Sequence, residues 1–125
     1  MVVDTSVFLA VFFMEKHGPA CINKLNEYAG TLLLSAVNYS ELLIRVTDRH
    51  PQKLADVREQ ILSSGIEIVP VDSEQAEIAA KARMEFPLNL GDCFAYALAS
   101  LRKIPVMTLD TDFGRSDIEV IFCHE

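Results

Sequence analysis

The amino-terminal stretch MVVDTSVFLA, residues 1–10, decides the fold: an apolar run from Met1 to Val3, the acid Asp4, two hydroxyl residues, then apolar residues at helical density. This order predicts a short buried strand that feeds a helix beginning at Thr5 or Ser6, both residue types that open helices well. The pattern then repeats down the chain. Gly18-Pro19 reads as a break before a helix over 20–28, which Gly30 closes. Thr31 to Leu34 reads as a second strand, and Ser35 is placed to cap a helix running through Glu41 to about Asp48. His50-Pro51 interrupts, because the residue before a proline is pushed out of the helical region. A helix over Leu54 to Leu62 ends at Ser64-Gly65, and Ile66 to Val69 forms a third strand. Asp72 or Ser73 caps a helix through Met84, Pro87 to Gly91 is a connector, and Asp92 to Lys103 is again helical. Pro105 to Leu109 gives a fourth strand and Ile118 to Phe122 a fifth. Strands that alternate with helices at this spacing imply an α/β fold: a parallel sheet of four to five strands joined by right-handed crossovers and covered on both faces, three layers in all.

Size and composition limit what such a chain can be. Its 125 residues match one domain spanning 1–125, large enough for its own core. Hydrophobic residues make up 50% and charged residues 23%, the balance of an ordinary globular protein. The longest apolar run, Val7 to Met14, falls far short of the ~20 residues that span a bilayer. Ahead of it stands Asp4, where a secretory leader would carry positive charge, so a cytoplasmic location is expected. Three scattered cysteines, Cys21, Cys93 and Cys123, suit a reducing compartment and make neither a disulfide framework nor a zinc site.

The acids carry the chemistry. Asp4 follows the first strand, Asp110 follows the fourth, Asp92 opens a helix rich in alanine, and Glu41 sits one turn into its helix with Asn38 and Arg45 on the same face. In a parallel sheet, ligands bind beyond the carboxyl ends of the strands, where the strand order reverses, so Asp4 and Asp110 should emerge at one edge. Gathered carboxylates repel: two unit charges ~4 Å apart interact by roughly 4 kcal/mol at an effective dielectric of about 20. Hard oxygen donors so gathered suit Mg²⁺ or Mn²⁺, as one ion or two.

Taken singly, each acid has a plainer reading. Asp4 could cap the first helix, Asp92 could be the third-position acid behind Asn89 as cap, Glu41 could form a solvated pair with Arg45, and Asp110 and Asp112 could be turn residues. His17, His50 and His124 lack the spacing of metal ligands, and Phe8, Phe12 and Phe13 suit core packing. The net charge of −7 speaks against a broad nucleic-acid surface, although bound cations would reverse the local sign. Arg45, Arg49, Lys53, Arg83, Arg102, Lys103 and Arg115 could supply a local basic rim.

Four segments together, VVDTSVFLA (2–10), SAVNYSELL (35–43), LNLGDCFAYALA (88–99) and TLDTDF (108–113), resemble the PIN-domain family, in particular the VapC-type ribonuclease toxins of toxin–antitoxin pairs, over almost the whole chain. The resemblance implies a metal-dependent endoribonuclease in which Asp4, Glu41 and Asp92 match the family's acids. Asp110 ranks first for the fourth acid, with Asp112 as its partner. Thr5, Ser6, Asn38 and Thr108 fall where a hydroxyl or amide could orient the carboxylates. Water activated by the metal would cut RNA, leaving a 5′-phosphate and a 3′-hydroxyl. The resemblance also implies a homodimer and a cognate antitoxin protein as partner; apolar faces of the Val7 to Met14 and Leu54 to Leu62 helices are candidates for its groove.

Two other readings stay open at this level. A catalytically silent PIN-fold binding module would keep the fold and lose turnover. A receiver-type phospho-acceptor domain would need a second acid beside Asp4 and a lysine after the last strand, and the chain has neither.

Overall fold

Each strand is only two or three residues long, so the sheet rests on apolar contacts above and below it more than on its own hydrogen bonds. In the computed structural model, which describes residues 1–124, the strands are β1 (Val2–Val3), β2 (Leu33–Ser35), β3 (Glu67–Val69), β4 (Val106–Thr108) and β5 (Val120–Phe122). They form one sheet in the order β3-β2-β1-β4-β5, every neighbour parallel. The chain builds outward from β1 to β3 on one side, then returns to lay β4 and β5 on the other. The order therefore reverses between β1 and β4.

Period-two alternation divides the sheet residues between two cores. Val3, Leu34 and Met107 face a cluster built with Val7, Phe8 and Ala10 of α1 (Thr5–Phe12), Cys21 of α2 (Gly18–Glu27), Leu42 and Val46 of α3 (Ala36–Arg49), and Val57 and Ile61 of α4 (Leu54–Ser63). Val2 and Val106 face the opposite cluster, with Ala79 and Ala82 of α5 (Ser73–Glu85) and Ala95, Leu98 and Ala99 of α6 (Leu90–Arg102). The small residues of α5 and α6 let these two helices pack closely. The result is the expected three-layer α/β/α arrangement. Two 3₁₀ turns, Pro51–Lys53 and Thr111–Arg115, complete the described elements, and among the described residues no helix is long and apolar enough to cross a membrane.

The expected order of elements holds, with local differences. Gly18-Pro19 starts α2 where a break was expected: proline is well placed in a first turn, where its missing N–H costs nothing. Gly18 must also be a glycine, since a Cβ there would collide with the Ala10 carbonyl oxygen of α1. Gly30 adopts the left-handed conformation but lies beyond the last turn of α2, which Tyr28 closes. Asp72, not Ser73, caps α5, by accepting from the Gln75 N–H. Helix α6 begins at Leu90, two residues ahead of Asp92, because Asn89 and Asp92 form a reciprocal capping box.

Candidate active site

The register of the sheet places the first acid. Val3 pairs with Met107, so Asp4 leaves β1 directly opposite Thr108 at the end of β4. Thr108 Oγ1 donates to Asp4 Oδ2 at 3.0 Å, and Ser6 Oγ donates to the same oxygen at 2.8 Å. The same two hydroxyls accept from the next turn: Ser6 Oγ from the Leu109 N–H at 3.1 Å and Thr108 Oγ1 from the Asp110 N–H at 2.9 Å. A chain of hydroxyls thus joins the two strand ends that flank the reversal of strand order. Asp4 occupies the cap position of α1, yet its side chain makes no capping bond. Its carboxylate is turned to the sheet edge instead, only 2% exposed.

Asp110 follows β4 by two residues, and its Oδ1 accepts from the Asp112 N–H at 2.9 Å. Asp92 arrives from α6, where Asn89 Oδ1 accepts from the Asp92 N–H at 2.9 Å and Asp92 Oδ2 accepts from the Asn89 N–H at 3.3 Å. Glu41 arrives from α3. Its Oε1 accepts from Thr5 Oγ1 at 2.6 Å and from Asn38 Nδ2 at 3.3 Å. Asn38 Nδ2 also donates to the Gly91 carbonyl at 3.0 Å, which ties α3 to the start of α6.

Gly91 has a specific reason to lack a side chain: a Cβ there would overlap the Glu41 carboxylate. Gly91→Ala should therefore push Glu41 off its hydrogen bonds and lower any activity that uses it about tenfold or more, while thermal melting moves by only a few degrees. Wild-type rates in that variant would show that Glu41 has room to spare.

These residues enclose one cavity of about 200 Å³, lined by Asp4, Thr5, Ser6, Leu9, Glu41, Arg45, Asn89, Asp92 and Asp110. Asn38 and Thr108 stand behind it, fully buried, and hold Glu41 and Asp4 in place. Asp112 is not among the lining residues; it meets the site through its backbone N–H to Asp110. The sequence reading weighed Asn89 only as the cap in the plainer reading of Asp92, not as a residue of the site, and passed over Gly91 as a connector residue. Arg45 makes no ion pair with Glu41 or any other acid among the described residues, because Glu41 is turned toward Thr5 and Asn38.

The carboxylates sense one another. Burial, opposed by the Ser6 and Thr108 hydroxyls and reinforced by the charge of Glu41, raises the pKa of Asp4 to about 6. Burial raises that of Asp92 to about 8, with the charges of Asp4 and Asp110 pushing the same way and the Asn89 N–H opposing. Four acids share one further property: one oxygen accepts the hydrogen bonds from Ser, Thr, Asn or backbone donors and the other accepts none of these, although the Asp92 and Asp110 side chains also hydrogen-bond each other. That leaves Asp4, Glu41, Asp92 and Asp110 each with a hard oxygen to offer. No three His, Cys, Asp or Glu side chains among the described residues stand in the tight grouping of a preformed metal centre. The donor set fits a divalent cation by its oxygen chemistry, its mutual repulsion and its anchoring from behind.

Comparison with known proteins identifies the family and the fold. The sequence pattern of the PIN domain matches residues 1–119. Ribonuclease VapC42 of Mycobacterium tuberculosis is 32% identical over 127 residues, covering 94% of this chain and 96% of the relative. Two solved structures share the fold. VapC20 of M. tuberculosis, a toxin that cleaves the sarcin-ricin loop, has a TM-score of 0.82 at 16% identity, covering 94% of this chain and 95% of that one. A toxin–antitoxin complex from Klebsiella pneumoniae has a TM-score of 0.78 at 21% identity, covering 99% and 98%.

Proposed function

The chain belongs to the PIN-domain family, and from that premise we propose that it is a cytoplasmic endoribonuclease, dependent on Mg²⁺ or Mn²⁺ and acting as the toxin of a toxin–antitoxin pair. Four carboxylates from β1, α3, α6 and the turn after β4, each with one oxygen free toward a shared cavity, carry this reading. The ribonuclease name of a relative at 32% identity over almost the whole chain supports the substrate class.

In this proposal Asp4, Asp92 and Asp110 hold one or two ions, with Asp110 preferred to Asp112 because only Asp110 lines the cavity. The ion, when bound, supplies Lewis acidity: it lowers the pKa of water and offsets charge on the phosphate. The chain itself does the positioning. Ser6 and Thr108 fix Asp4, the capping box fixes Asp92, and the Asp112 N–H fixes Asp110. Glu41, held by Thr5 and Asn38, keeps Oε2 available to accept a proton from the attacking water.

Attack by water predicts products with a 5′-phosphate and a 3′-hydroxyl. Incubating purified protein with RNA and Mg²⁺, then ligating an adaptor that requires 5′-phosphate ends, reads this directly. Cyclic 2′,3′-phosphate ends would overturn the mechanism, since they arise from attack by the ribose hydroxyl.

The partners follow the same reading: a homodimer, an RNA substrate and a cognate antitoxin. An apolar groove of about 230 Å³ between α1, α2 and α4, lined by Phe8, Phe12, Leu25, Ile61 and Ile66 among others, suits an antitoxin segment. A basic segment would complement a chain of net charge −7. Co-expression with the adjacent gene should give a stable complex that no longer cleaves RNA.

A further inference from the structure

Arg45 has no structural duty to explain its place. Its i−4 neighbour Glu41, the obvious ion-pair partner on a helix, spends its bound oxygen on Thr5 and Asn38, and Arg45 pairs with no acid among the described residues. The side chain is exposed, so it does not contribute to the core. It nevertheless lines the carboxylate cavity, and it is the one cationic side chain among the lining residues. An acid-lined cavity in a protein of net charge −7 repels a polyanion at long range. A strand of RNA brought there needs a local cation to hold a phosphate that the acids would otherwise push away.

We propose that Arg45 docks a phosphate of the RNA strand at the mouth of the carboxylate cavity, a substrate-holding role that rests on the nuclease reading. A guanidinium suits this role because its planar fork donates two parallel hydrogen bonds to phosphate oxygens and its charge does not titrate away. Holding the strand from α3 leaves the oxygens of Asp4, Asp92 and Asp110 to the cation they would hold. Arg45 acts on substrate affinity and leaves the chemical step to the carboxylates.

The test compares wild type, Arg45→Ala and Arg45→Lys on one short single-stranded RNA with Mg²⁺, after confirming equal melting temperatures. Arg45→Ala should raise KM about tenfold with kcat changed less than about threefold, and Arg45→Lys should recover part of the loss by keeping the charge without the fork. A second arm measures RNA binding without cleavage, using Asp92→Asn alone and combined with Arg45→Ala. Removing one phosphate contact should reduce the slope of log affinity against log salt by ~0.7. An unchanged KM and an unchanged salt slope would overturn the assignment, as would Arg45→Lys behaving like Arg45→Ala in both arms. If wild type cuts no RNA, the nuclease reading fails on its own, and the binding arm still decides whether Arg45 holds a phosphate.

Discussion

RNA cleavage by the Asp92→Asn protein should fall at least about 1,000-fold, and the same protein should melt higher than wild type at pH 8. Both effects have one cause. Asp92 sits at the third position of α6 with one oxygen in the capping box, where asparagine can still accept the Asn89 N–H. The helix start should survive the substitution while the charge and the second ligating oxygen are lost. The stability effect follows from burial beside Asp4 and Asp110, which raises the pKa of Asp92 to about 8 from the ordinary 3.8. Below pH ~4 the group is protonated in both folded and unfolded chains. As pH climbs toward 8, the unfolded chain ionises freely and the folded one resists, so the folded state loses stability across that window. Asparagine never ionises and escapes the loss. The gain should therefore be absent near pH 4 and reach at least about 1 kcal/mol, roughly 4 °C, at pH 8. EDTA should bring wild-type activity to the same floor, with Mg²⁺ restoring the wild type and not the variant. A variant that cuts RNA normally, or that melts lower at every pH, would remove Asp92 from the proposed chemistry.

The alternation of apolar strands and helices could be read in the sequence because the central strands β1 and β4 are buried on both faces and three of the helix starts carry a capping residue: Ser35, Asp72 and Asn89 all accept backbone N–H groups as their types suggest. Convergence of Asp4 and Asp110 was legible for a topological reason, since both follow strands of one parallel sheet. Their placement beside each other depended on β1 and β4 being neighbours, which no local pattern records. The capping and active-site readings of Asp92 looked like rivals and are not: one carboxylate oxygen closes the helix and the other faces the cavity. Glu41 and Arg45 misled for a related reason. Their i,i+4 spacing predicts a pair only when nothing outside the helix competes, and Thr5 of α1 competes successfully. Gly91 could not have been singled out, because its need for a bare Cα arises from a carboxylate fifty residues away in sequence.

Mn²⁺ should raise the melting temperature of the wild-type protein at pH 8 and lose that effect as the pH approaches 5. Carboxylates bind a cation only when ionised, so any ion at this site competes with protons. Asp4, with its pKa raised to about 6 mainly by burial, and Asp92, raised to about 8, both hold protons at pH 5. Binding there must expel them, and each proton expelled weakens apparent affinity about tenfold per pH unit below the pKa. Above pH 8 the same sites are ionised and mutually repelling, so neutralisation by the cation adds to the stability of the fold. Free Mn²⁺ at about 100 times its dissociation constant would stabilise by ~2.7 kcal/mol, on the order of 10 °C for a chain of this size. The shift should shrink sharply in Asp4→Asn and Asp92→Asn, each of which removes a ligand and part of the repulsion that the ion relieves. Cleavage rates should follow the same pH course, rising from pH 5 to pH 8 with a steepness that reports two coupled carboxylates, not one. Equal Mn²⁺ shifts at pH 5 and pH 8, or full shifts in both asparagine variants, would place the cation away from these carboxylates and leave the raised pKa values of Asp4 and Asp92 without a role in catalysis.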